Sequence, residues 1–121
     1  MNGIPMSLPL PELEAFVDRL KAISDRYQRV YDVDRSGDWH LIKVQEEMGE
    51  LTQAYLAMTG RSRRSVDGAR HDVAMELADV VCMVLLMARS EGIDLNAAIT
   101  QKWLKWEQVM ADESAPELIQ A

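Results

Sequence analysis

The sequence predicts an all-α fold, four helices in one bundle-like domain covering residues 1–121. Three observations point there. Apolar residues recur at steps of three and four along most of the chain, the spacing that lines one face of a helix. The composition leans on Ala, Leu, Glu, Met, Gln and Arg, which favour helix, and only six glycines and four prolines interrupt it. The breaks between periodic segments are short, as in a bundle of neighbouring antiparallel helices.

Residues 1–9 read as a loose arm. Pro11 then suits a first helical turn, where its missing N–H has no partner to lose. Leu13, Phe16, Val17, Leu20, Ile23, Tyr27 and Val30 give the first helix one apolar face through about residue 31. The stretch DVDRSGD at 32–38 has turn chemistry. A second helix is expected over about 39–58, with Leu41, Val44, Met48, Leu51, Tyr55 and Met58 as its packing seam. Gly60 closes it, and residues 59–70 form a basic loop containing Arg61, Arg63, Arg64 and Arg70. The third helix, about 69–90, is apolar nearly all round and is expected to be buried on most sides. A fourth is expected from Asp94 or Asn96, both good N-caps, to about 111, with 112–121 frayed.

Composition narrows the function classes. A net charge of −7 argues against coating a nucleic acid polymer. The longest apolar run, VVCMVLLMA at 80–88, is far short of the ~20 residues of a membrane span. The single cysteine, Cys82, excludes an internal disulfide and fits a reducing compartment. The first residues lack a basic stretch followed by an apolar one, so no secretory leader is expected. A cytoplasmic protein is the expectation.

Two pairs of carboxylates stand out. Glu47 and Glu50 are three apart on the second helix, and Glu76 and Asp79 are three apart on the third. Positions i and i+3 share a helix face, so an antiparallel hairpin can turn the two pairs toward each other. Glu76 and Asp79 interrupt an otherwise apolar stretch, where an isolated carboxylate is costly unless it keeps a proton or finds a partner. The bland alternative for the turn holding Glu46, Glu47 and Glu50 is a solvated helix face. Both pairs together favour a cation site. All-oxygen ligands select hard divalent ions, Mg²⁺ with Mn²⁺ as substitute. Such an ion also lets an acidic protein bind an anionic nucleotide.

With EMGE at 47–50 and ELAD at 76–79, the chain resembles the MazG-like all-α nucleoside triphosphate pyrophosphohydrolases over about residues 38–106. The resemblance implies a MazG-type domain that assembles as a homodimer or homotetramer. It implies Glu47, Glu50, Glu76 and Asp79 as Mg²⁺ ligands. Glu46 matches a preceding glutamate of many members, implying a further metal contact or a catalytic part in orienting the attacking water. Lys102 and Lys105 match lysines found near the phosphates, while Trp106 stands where asparagine is common. The implied activity is hydrolysis of a nucleoside triphosphate to the monophosphate and pyrophosphate, including removal of non-standard nucleotides. A phosphoribosyl-ATP pyrophosphohydrolase is the neighbouring alternative, and an acidic helical interaction module is the non-enzymatic one. A ferritin-like di-iron site is disfavoured, because it wants Glu-x-x-His from two helices, and neither Glu47 nor Glu76 has a histidine three residues on.

Other residues weigh less. Trp39 begins the second helix, where its ring is a candidate to stack on a base, although aromatics at helical spacing are more often packing. His40 and His71 lack ligand spacing and read as surface or capping residues; Cys82 reads as packing. The apolar faces exceed what four short helices can cover among themselves, and this also predicts a homo-oligomer.

Overall fold

A computed structural model describes residues 11–111. The arm at 1–9 and the end at 112–121 lie outside these residues. Every regular element among the described residues is helical: α1 (Pro11–Tyr31), α2 (Trp39–Met58), α3 (Ala69–Ser90), α4 (Leu95–Ile99), a π-helical turn (Thr100–Leu104) and α5 (Trp106–Ala111). No helix among them is long and apolar enough to cross a membrane.

The first three helices match the bounds that periodicity predicts, and local chemistry fixes their ends. After α2 the backbone turns left-handed at Gly60, with φ +74°. Gly60 N–H then bonds to the Ala57 carbonyl and Arg61 N–H to that of Leu56, the paired closure of a Schellman motif. Between α1 and α2, Arg35 folds back and donates to Ser24 Oγ at 2.7 Å and to Asp25 and Gln28 at 2.8 Å each. The Asp94 carboxylate caps α4 by accepting from Ala97 N–H at 2.9 Å.

The fourth helix departs from expectation. Instead of one run to residue 111, it breaks into α4, a π turn and α5. Lys105 N–H reaches back five residues to the Thr100 carbonyl, and the Trp106 indole N–H takes the Lys102 carbonyl at 3.2 Å. Apolar periodicity cannot reveal one extra residue in a turn, because both neighbouring segments remain helical.

The main packing is an antiparallel hairpin of α2 on α3, with α1 against α3. Near the connecting loop, Ala54, Ala57 and Ala69 are each 1% exposed, so small side chains bring the two helices close. Leu13 and Val17 of α1 and Leu85 and Ala88 of α3 line one small cavity between the two helices, with Val17 and Leu85 buried. Arg89 ties α3 to α1 by donating to Asp18 and Glu14, both at 2.8 Å.

Three expectations about burial need correction. The predicted α2 seam is rotated: His40 and Ala54 are buried and Glu47 half-buried, while Leu41, Met48 and Tyr55 lie exposed. The third helix is also not covered on most sides, since Leu77, Val81 and Val84 are exposed. One hairpin partner and a crossing α1 can cover only part of its circumference. His40, expected at the surface, is only 8% exposed.

Candidate functional site

The rotation of α2 is what builds the site. It turns the stripe of His40, Val44, Glu47, Leu51 and Ala54 inward, spaced at three and four residues as one helix face requires. Glu47 thereby enters the seam against α3, where Glu76 is likewise half-buried. Oxygens of Glu47, Glu50 and Glu76 lie within 4.8 Å of one another. Asp79, one turn further along α3, is exposed and close enough for its charge to act on Glu47 and Glu76.

Among the described residues no ion pair reaches Glu47, Glu50, Glu76 or Asp79, and Lys43, itself paired with Glu46, offsets only part of the negative charge felt at Glu47. Glu47 Oε2 and Glu76 Oε2 are both buried and without a hydrogen-bond partner. Burial first, then the negative charges of Glu50 and Asp79, push the Glu47 carboxyl up from 4.5 to about 7. Glu76 is raised too, by burial and then by the same two neighbours. A proton retained on either group can be donated to Glu50, a smaller influence that also favours the neutral form. The Cys82 thiol rises with burial and the nearby Asp79 charge.

The remaining candidates stand elsewhere. Glu46 is exposed and paired with Lys43, one turn earlier on the outer side of α2. Trp39 meets the His40 ring edge-on at 4.9 Å, and Lys43 lies over the Trp39 ring at 5.9 Å. Lys102 and Lys105 are exposed on the C-terminal helical segment, with the Lys105 ammonium 5.1 Å from the centre of the Trp106 ring. Among the described residues no ion pair joins either lysine to the four carboxylates. In the basic loop, Arg64 approaches Asp72 at 3.9 Å and Arg61 lies over Tyr55 at 5.9 Å.

Beside the carboxylates, α2 and α3 form an apolar groove of about 580 Å³ lined by Leu51, Tyr55, Met58, Val73 and Leu77, with Thr52, Arg70 and Ala74 completing it. Leu51, Tyr55 and Met58, which the spacing places in the α2 packing seam, line this groove instead.

Compared with known protein families, with curated proteins and with solved structures, the chain matches none.

Proposed function

We propose that this chain is a MazG-like, Mg²⁺-dependent nucleotide pyrophosphohydrolase that cleaves a nucleoside triphosphate to the monophosphate and pyrophosphate. The observation that supports it most is the meeting of Glu47, Glu50 and Glu76 across the hairpin, with two buried carboxylate oxygens lacking any partner.

The donor set fits a hard divalent cation. It is all oxygen, holds no His or Cys ligand, and leaves unpartnered acceptors where a cation would sit. Glu47, Glu50, Glu76 and Asp79 would hold it. When bound, Mg²⁺ supplies charge compensation for the phosphates and acidifies a coordinated water. The chain's own part is positioning. Ala54, Ala57 and Ala69 clamp the hairpin, so the two carboxylate pairs stay aimed without rearrangement. The half-buried position of Glu47 keeps bulk water from competing for its inner oxygen. Glu50 and Asp79, more exposed, face the side from which a triphosphate can approach. Glu46, next to Glu47 in sequence but on the outer side of α2, is proposed to orient the attacking water once substrate draws it from Lys43. Lys102 and Lys105 are proposed to contact phosphates, and Trp39 to contact the base.

Assembly belongs to the same reading. No large side chain among the described residues is fully buried, and Leu41, Met48, Tyr55, Leu77, Val81 and Val84 leave the hairpin with an apolar exposed surface. Covering such a surface is what an obligate homo-oligomer interface does, and we assign it to a homodimer or homotetramer.

The test is pyrophosphate release across canonical, deoxy and damaged nucleoside triphosphates plus phosphoribosyl-ATP, with Mg²⁺ or Mn²⁺. Release by the wild-type chain and its loss in Glu50→Gln and Asp79→Asn, with helix content intact, is expected. Equal turnover in all three proteins overturns the assignment.

A further inference from the structure

Two helical turns from the carboxylates, the middle of α1, the loop after it, the start of α2 and the end of α3 line a second, polar cavity of about 320 Å³. Its lining includes Lys21, Arg35, His40 and Arg89, with Asp25 as the one carboxylate among the described residues. We infer that this cavity binds a compact phosphate-type anion, at a site separate from the carboxylate seam. The separation follows from helix geometry: His40 precedes Glu47 by seven residues, about 10.5 Å along the α2 axis.

His40 adds a donor to the cavity. It is 8% exposed, lines the cavity, and its ring nitrogens are not among the sealed-off, unpartnered polar atoms. Its ring N–H is therefore reachable from the cavity and free to donate to a ligand there. The cations around it are held in place. Arg35 is fixed by Ser24, Asp25 and Gln28, Lys21 by Asp25, and Arg89 by Asp18 and Glu14. These pairs consume only part of the donors, since a guanidinium carries five N–H groups and an ammonium three. The partners of Arg89 are also well hydrated: Asp18 and Glu14 are 68% and 64% exposed, against 26% for Arg89. Water therefore screens those carboxylates more than the guanidinium that faces the cavity. Rigid, planar donors of this kind match the oxygens of a phosphate group.

The groups around His40 give the site a reporter. Burial and then the Arg35 charge hold its ring below the ordinary value, and Glu91 opposes them. Lys21 and Arg89 add positive charge to the cavity and Asp25 negative. An anion bound there favours the imidazolium and raises its titration midpoint.

The experiment follows the His40 ring by NMR in the full chain, in EDTA, at ionic strength held constant with NaCl. Inorganic phosphate, pyrophosphate and a nucleoside triphosphate are added in separate arms. Saturable binding is expected, with the His40 midpoint rising by about one pH unit. Affinity should fall about tenfold in Arg89→Gln and in Lys21→Gln, while circular dichroism stays unchanged. Saturation by phosphate or pyrophosphate marks a free inorganic anion as ligand. Saturation by the triphosphate alone marks the phosphate tail of a nucleotide. The inference is overturned if no arm differs from NaCl, if binding requires Mg²⁺, or if both folded variants bind as the wild type does.

Discussion

Replacing Glu47 with glutamine should stabilise the metal-free protein at pH 8 and change it much less at pH 5. Burial, followed by the Glu50 and Asp79 charges, raises the Glu47 carboxyl from 4.5 to about 7. The folded chain thus keeps this proton over a range in which the unfolded chain has lost it. The stability linked to the proton is complete below about 4.5, declines as pH rises, and is gone above about 7. At about 1.4 kcal/mol per pH unit, the rise amounts to about 3 kcal/mol. Solvent reaching the exposed neighbours Glu50 and Asp79 screens the cluster, which reduces the expected effect to about 1.5 kcal/mol. Glutamine keeps the shape and carries no charge at any pH, so it escapes the loss. The assay is urea unfolding by circular dichroism in EDTA at pH 5, 6, 7 and 8. For a chain of this size, the variant's midpoint at pH 8 should exceed the wild type's by about 0.5 to 1 M urea. The reasoning is refuted if the difference in midpoint is the same at every pH, or if the wild type is the more stable protein at pH 8.

Three further outcomes follow from the same geometry. Mg²⁺ at about one hundred times its dissociation constant should add about 2.7 kcal/mol and raise the melting temperature by roughly 8–12 °C; NaCl of equal ionic strength should not, and Asp79→Asn should lose the effect. Ala57→Leu should destabilise the hairpin by about 1–3 kcal/mol through overpacking, because Ala57 is 1% exposed; an unchanged melting temperature would show that the helices do not approach closely there. In Met48→Glu/Val81→Glu, two exposed apolar residues become charged, so light scattering should report a monomer with helix content retained; an unchanged oligomer mass would place the interface elsewhere.

Helical character throughout, and the extent of the first three helices, were legible in the sequence because both depend on local signals. Pro11, the DVDRSGD turn, Gly60 and Asp94 mark boundaries through their own backbone and capping chemistry. The two carboxylate pairs were legible for a related reason, since a spacing of three on each helix fixes a shared face before any tertiary contact exists. Helix rotation was not legible. Leu41, Met48 and Tyr55 form as good a heptad as His40, Glu47 and Ala54 form a poor one, yet the structure turns the second set inward. Small size decides this: Ala54 and Ala57 let α3 approach, and hydrophobicity alone does not register close approach. The polar cavity was hidden as well. Lys21, Arg35, His40 and Arg89 come from three helices and a loop, so nothing in their spacing joins them. The π turn at Thr100–Leu104 follows a single-residue change in pairing that leaves composition untouched.

The most direct test of the central claim is the product of the reaction, observed by ³¹P NMR. The protein is incubated with a nucleoside triphosphate and Mg²⁺, in parallel with EDTA and with Asp79→Asn. The account predicts paired growth of nucleoside monophosphate and pyrophosphate signals in the first sample and an intact triphosphate in the other two. An intact triphosphate in every sample, from folded protein that binds Mg²⁺, contradicts it, and so does the appearance of diphosphate with orthophosphate.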